Sequence, residues 1–286
     1  MENKTVLVTG GTDGIGRETA LQLARMGARV LVHGRDKEKG AQVLDDINRD
    51  TCNEKVSLYL ADFSSLADIK RMAEDIKRDH TELHVLVNNA GNFYRDRLLS
   101  SDGVEMTLAV NHLAPFLLTM LLLDLLKAST PTRIVNVVSS SHKLIKSVDL
   151  ENLQGESNYD GYTAYSLSKL GNVLFTQSLA DKLKGTSITA NALHPGVVNT
   201  KLLRKSYHLD GMGVEEGART SVYLASSPAV EGVSGKYYIN MKEHPASDLS
   251  QNQDLQGAFW KLSKEMVSQF LDKKTCPKAG DETFSL

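Results

Sequence analysis

Cysteine is nearly absent from this sequence: the 286 residues hold two, Cys52 and Cys276, and neither stands in a CxxC or Cys/His spacing. That excludes a disulfide framework and a thiolate metal site, and it suits a reducing compartment. Proline is scarce as well, at six residues, and no Gly/Ser-rich tract or block of like charge marks a linker or a disordered tail. The net charge of −2 is spread over interspersed acids and bases, so no field invites nucleic acid or an anionic membrane, and a small-molecule partner is expected. The most apolar stretch, Leu113 to Leu126, carries Asp124 and falls short of the roughly 20 residues that cross a bilayer. It reads as a buried helix. Strand-like residues begin at Lys4, leaving no room for a signal peptide, so the expectation is a cytoplasmic protein without a transmembrane anchor. Two catalytic signatures are also missing. His80-Thr81-Glu82-Leu83-His84 lacks the Glu directly after the first His that a zinc-protease helix needs, and no Gly-x-Ser-x-Gly elbow occurs, so neither a metal site nor a serine hydrolase is expected.

What is present is an alternation of β-branched runs with amphipathic stretches. Strands are predicted at 4–9, 29–33, 55–60, 83–88, 133–138, 187–193 and 235–239, and helices at 14–26, 37–49, 65–79, 103–127, 163–184, 214–226 and 255–272. This βαβ rhythm implies an α/β fold of Rossmann type, a doubly wound, seven-stranded parallel sheet with helices on both faces. Residues 1–286 form a single domain in this reading. Two segments break the rhythm, at about 143–162 and 198–213. Each follows a strand at the carboxyl edge, where open α/β sheets bind ligands, so they are the candidate substrate loops, with Leu144, Ile145, Leu150, Leu153, Leu202, Leu203 and Tyr207 as their apolar residues. The leucines from Leu117 to Leu126 suit either burial on the sheet or pairing between copies, which leaves a homo-oligomer open.

Between the first strand and the first helix lies Thr9-Gly10-Gly11-Thr12-Asp13-Gly14-Ile15-Gly16. Its glycines allow backbone N–H groups to approach a pyrophosphate at the positive end of a helix. The spacing is Gly-x-x-x-Gly-x-Gly rather than Gly-x-Gly-x-x-Gly. Further on, Tyr165 and Lys169 are four residues apart in a helical stretch and project from one face. A phenol with an ordinary pKa of about 10 exchanges protons poorly at neutral pH, but an adjacent ammonium favours its phenolate, so Lys169 would tune Tyr165 as a general acid/base.

These motifs, together with Asn88-Asn89-Ala90-Gly91 and Pro195-Gly196 in that order along nearly the whole chain, resemble the classical short-chain dehydrogenase/reductase family. Arg133-Ile134-Val135-Asn136-Val137 with His142, Asn152-Leu153-Gln154-Gly155-Glu156, and the final Trp260-Lys261-Leu262-Ser263 are similar to its retinol dehydrogenase-like branch. The resemblance implies an oxidoreductase that interconverts a carbonyl and its alcohol. Tyr165 would exchange the proton, Ser139, with Ser140 in reserve, would orient the substrate oxygen, and Asn111 would complete a relay to Lys169 through water. The nicotinamide cofactor would lie on Gly10, Thr12, Asp13, Gly14, Ile15, Gly16, Asn89, Ala90 and Gly91, with Asp62 and Phe63 at the adenine edge. Tyr165, Lys169, Pro195, Gly196, Val198 and Thr200 would flank the nicotinamide. NAD-type relatives carry an acid at the position of Gly34, and Arg35 follows, which favours NADP(H). NAD(H) stays open through Asp36, although Asp36 is better placed as a helix N-cap. The competing readings are a non-enzymatic NADP(H) sensor and a nucleotide-sugar epimerase or dehydratase. The apolar residues of the two loops point to a lipophilic aldehyde or ketone as substrate.

Overall fold

The computed structural model describes residues 1–206 and 210–271; Tyr207, Asp272 and Cys276 lie outside them. Eight strands form one sheet: β1 (Thr5–Val8), β2 (Arg29–Gly34), β3 (Val56–Leu60), β4 (Val85–Asn88), β5 (Thr132–Val137), β6 (Ile188–His194), β7 (Tyr237–Ile239) and β8 (Lys242–His244). Their order is β3-β2-β1-β4-β5-β6-β7-β8. The first seven are parallel, as the alternation predicts. The eighth corrects the expected count: it returns antiparallel to β7 through Asn240 and Met241, both at positive φ (52° and 61°). Two such residues make a tight hairpin that normally announces itself as Asn-Gly or Asp-Gly, and a methionine in the second place hides it from sequence reading. β8 itself is exposed and polar, which blunts the sheet edge against further pairing.

The central strands are buried on both faces, so their side chains divide by parity. Val6, Val8, Val30, Val32, Val85, Val87, Val135 and Val137 face one layer, formed by α1 (Gly14–Arg25), α2 (Lys37–Thr51) and α8 (Val214–Ser226). Leu7, Leu31, Leu86 and Ile134 face the other, formed by α3 (Leu66–Asp79), α4 (Met106–Leu108), α5 (Ala114–Ala128), α6 (Gly161–Lys182) and α9 (Gln253–Met266).

The helix expected at 103–127 begins at Met106 and is interrupted by a π-turn, Ala109–Leu113, between α4 and α5. From Met106 to Ala128 it is long and apolar enough to cross a bilayer, whereas the apolar stretch read from the sequence, Leu113 to Leu126, fell short of that length. Its leucines are nevertheless spent inside the chain, in the cluster shared with α3, α6 and α9. The two expected loops are not structureless either. A 3₁₀ turn, Ser140–Leu144, follows β5, and α7 (Lys201–Ser206) lies within 198–213. The C-terminal helix starts at Gln253 and ends at Met266, followed by a 3₁₀ turn, Ser268–Phe270.

Candidate active site

The order of the sheet reverses between β1 and β4, which leave in opposite directions from the centre, and a crevice opens there at the carboxyl ends. The turn after β1 occupies it. Gly10 and Gly14 take positive φ (63° and 51°), which glycine adopts without strain, and a Cβ on Gly16 would collide with the Gly10 carbonyl. Buried polar groups fasten the turn from both sides. The Thr9 hydroxyl accepts from the amides of Asn89 and Ala90 (2.9 and 3.0 Å), and the Asn89 amide side chain donates to the Thr9 carbonyl (2.8 Å). His33 Nδ1 accepts from Gly10 N–H (3.1 Å), so its other nitrogen, Nε2, carries the proton toward the Ala61 carbonyl (3.1 Å). Burial holds that imidazole down at about 4, hence neutral, and Phe63 stacks on it at 4.0 Å. Phe63 thus stands behind the turn as a support. His33 had no signal in the sequence, because a lone histidine in a strand does not reveal which loop it will brace.

Asp13 caps α1 by accepting from Gly14 N–H (2.9 Å) and also pairs with Lys39 (2.5 Å) and Lys201 (2.8 Å). Burial alone would raise its pKa, but the two lysines outweigh it and hold the carboxyl at about 2. Two ammonium groups from α2 and α7 therefore stand at the mouth of the turn. Sequence reading missed both, since they lie 26 and 188 residues from Asp13. Asp36 accepts from Lys39 N–H (3.0 Å) as the N-cap of α2, and Arg35 is exposed beside it. Asp62 accepts from the amide and hydroxyl of Ser64 (2.9 and 2.8 Å), while Ser65 caps α3. A Cβ on Gly34 would lie 2.5 Å from Thr12 Cγ2, so Thr12 fills the space in which a side chain at position 34 would stand.

A cavity of about 340 Å³ lies at the carboxyl ends of β5 and β6. It brings together Ile15, Asn89, Gly91, Ser139, Ser140, Tyr165, Lys169, Pro195, Gly196, Val198 and Thr200 with Leu144, Leu202 and Leu203. Tyr165 and Lys169 reach it from α6. Lys169 is buried, its Nζ 5.6 Å from the centre of the Tyr165 ring and 3.2 Å from the Val137 carbonyl. Burial lowers its pKa to about 8. A Cβ on Gly91 would meet Lys169 Nζ at 3.3 Å and Asn111 Oδ1 at 3.4 Å, so a glycine is what lets the three segments converge. Ser139 starts the 3₁₀ turn, its hydroxyl accepting from Ser141 N–H (3.2 Å). Thr200 reaches the glycine turn, with its Cγ2 3.3 Å from where a Gly14 Cβ would be.

Asn111 lies in the π-turn, a form that recurs at functional sites, and is wholly buried. Its side chain accepts from Asn92 N–H (2.7 Å) and donates to the Asn92 carbonyl and the Ser168 hydroxyl (2.9 and 3.1 Å). It stands behind Gly91 rather than on the cavity wall. Asn88 donates to Thr119 and Asn136 inside the sheet, a stabilising position. Of the expected loop residues, Ile145, Leu150 and Leu153 pack on the main core instead of the cavity, because apolar side chains on a short excursion fold back onto the nearest apolar layer. Among the described residues no cluster of His, Cys, Asp or Glu could hold a metal.

The short chain dehydrogenase family matches residues 4–209. This chain belongs to that family. It is 41% identical over 92% of its length to retinol dehydrogenase 12 of Bos taurus, covering 86% of that protein. Among solved structures it superposes on an uncharacterised protein from Mycobacterium paratuberculosis with a TM-score of 0.78, 31% identity and coverage of 93% and 94% of the two chains. A short chain dehydrogenase from Escherichia coli CFT073, complexed with NADPH, gives a TM-score of 0.70, 25% identity and coverage of 85% and 98%. The retinol dehydrogenase-like resemblance of the motifs is thus sustained over most of the chain, and the protein is an oxidoreductase of the type that acts on CH–OH groups.

The glycine turn, the two lysines beside Asp13 and the gap that Gly91 leaves next to Lys169 and Asn111 fit a nicotinamide dinucleotide. Gly10, Gly14 and the start of α1 would hold the pyrophosphate, Asn89 to Gly91 would back the nicotinamide ribose, and Pro195 to Thr200 would flank the ring.

Proposed function

We propose that this protein is an NADP(H)-dependent reductase/dehydrogenase of lipophilic carbonyls and alcohols, with Tyr165 as the general acid/base. The observation that carries the reading is the pairing of Tyr165 with a buried ammonium on the wall of a largely apolar cavity. The cofactor supplies or accepts the hydride. Tyr165 donates its phenolic proton to the carbonyl oxygen during reduction and takes it back during oxidation. The Lys169 charge stabilises the phenolate left behind, and the Ser139 hydroxyl orients the oxygen.

The preference for NADP(H) is supported at position 34. An acid there, to bind a ribose hydroxyl, would have to displace Thr12, whereas exposed Arg35 and the nearby Lys39 offer cations to a 2′-phosphate. Asp36 is spent on its helix cap. The NADPH complex of the Escherichia coli neighbour agrees, and the retinol dehydrogenase relative agrees with a lipophilic substrate, as do Leu144, Leu202 and Leu203 on the cavity wall. The deciding experiment follows NADPH and NADH oxidation against aliphatic, aromatic, steroid and retinoid carbonyls. Turnover with NADPH on apolar carbonyls is the expected result. Tight NADPH binding without turnover on any of them would make the protein a sensor.

A further inference from the structure

Behind Asn111 lies a chain of buried polar side chains that crosses from the reaction face to the C-terminal helix. Asn172 Nδ2 lies 2.7 Å from the Asn111 backbone carbonyl, Asn172 Oδ1 lies 3.0 Å from His112 Nδ1, and His112 Nε2 lies 2.7 Å from the Ser263 hydroxyl on α9. All four residues are at most 5% exposed. The directions follow from the donor inventory. The Asn111 carbonyl can only accept, so the Asn172 amide must present its NH₂ there and its oxygen to His112. That oxygen can only accept, so His112 carries its proton on Nδ1, and Nε2 is left to accept from Ser263, whose single hydroxyl proton is shared between His112 and the Phe259 carbonyl (2.7 Å). Burial holds His112 neutral, at about 4, so no second proton disturbs the sense of the chain. Along the chain from Ser263 to Asn172 each hydrogen bond is then donated toward Asn111, an arrangement in which successive bonds polarise one another.

Packing has been arranged to admit this chain. A Cβ on Gly171 would lie 2.6 Å from Phe259 and 3.0 Å from His112 Nδ1, so a glycine in α6 lets α9 and the imidazole seat together. Phe259 and Trp260 of α9 then pack edge-on against His112 and Phe116 (5.0 and 5.2 Å). The π-turn is the one interruption between α4 and α5, and it is the Asn111 carbonyl within it that this chain engages.

We propose that Ser263, through His112 and Asn172, is a positioning residue for Asn111, so that the C-terminal helix belongs to the catalytic apparatus although it touches no part of the cavity. The proposal deepens the reading given above and rests on it for its kinetic arm only. Three measurements on the full-length protein test it. Long-range ¹H–¹⁵N correlation spectra should show His112 as the Nδ1–H tautomer; the Nε2–H tautomer would overturn the chain as drawn, whatever the protein catalyses. Ser263→Ala should lower kcat by about threefold to tenfold, the worth of one net hydrogen bond, with KM for carbonyl and cofactor unchanged. Ser263→Thr, which keeps the hydroxyl, should restore it. Hydrogen exchange at Asn92 N–H, which donates to the Asn111 side chain, should quicken in Ser263→Ala and not in Ser263→Thr. Should wild-type protein turn over no carbonyl, the function reading fails while the tautomer and exchange measurements still decide this one. Unchanged kcat and unchanged Asn92 exchange in a folded Ser263→Ala protein would refute it.

Discussion

Around the glycine turn the polar groups of Thr9, Gly10, Asn89 and His33 are tied to one another by buried hydrogen bonds, whereas the rim of the cavity carries Leu144 and Val197 at 70% and 48% exposure. The first region must present fixed donors to one anion, and preorganisation is what gives such donors their strength. The second has only to exclude water from whatever carbonyl it accepts, so size and apolarity suffice. On the function proposed above, the work divides between a polar half that would hold the cofactor and an apolar half that would grade substrates. Tyr165 and Lys169 stand where the two meet.

The largest effect is expected at that junction. Tyr165→Phe should retain NADPH binding and lose kcat by about 10² to 10⁴, the range of general acid catalysis. Stopped-flow turnover with a fluorescence titration of NADPH checks it, and near-normal kcat would remove the division's central element.

Lys169→Met should cripple turnover similarly while making the protein more stable at neutral pH. The folded pKa of about 8 lies below the 10.5 of a free lysine. Between those values the unfolded chain holds a proton that the folded chain does not, so stability rises with pH across the window and the buried charge costs its full amount below about pH 8. That amount is about 3 kcal/mol, which corresponds to roughly 2–4 °C of Tm per kcal/mol for a domain of this size. Thermal melts at pH 7 and pH 10 should show the gain in Tm at the lower pH and its loss at the higher. A Tm lowered equally at both would mean that Lys169 is there for the fold.

The polar half is sharpened by the cofactor. Arg35→Ala should weaken NADPH binding by about tenfold while leaving NADH nearly unchanged, as removing a charged contact to one phosphate would. Equal affinity for the two cofactors in the unmutated protein would move the 2′-phosphate contact away from Arg35 and Lys39.

The apolar half predicts the smallest steps. In a series of alkyl aldehydes each added methylene should raise kcat/KM by up to about fourfold, the equivalent of about 0.8 kcal/mol, until the cavity is full. A flat series, with better activity on a phosphorylated or carboxylated carbonyl, would show that Lys143, Lys146 and Lys201 rather than the leucines select the substrate.

The parallel strands, the glycine turn and the Tyr165–Lys169 pair were all legible in the sequence, because each rests on local spacing: a period of two or of about 3.6, a turn that only glycine accommodates, two residues one helical turn apart. The hairpin to β8 was hidden because Met241 adopts a conformation its type rarely announces. Ile145, Leu150 and Leu153 misled because an apolar residue in a loop does not say which apolar layer will claim it. Tertiary structure alone could set Lys201 beside Asp13, His33 beneath Gly10, and Ser263 at the end of a path to Asn111 some 150 residues away. Each of those contacts depends on where whole helices and strands come to rest. That is fixed by burying the two faces of the sheet, so no local pattern can encode it.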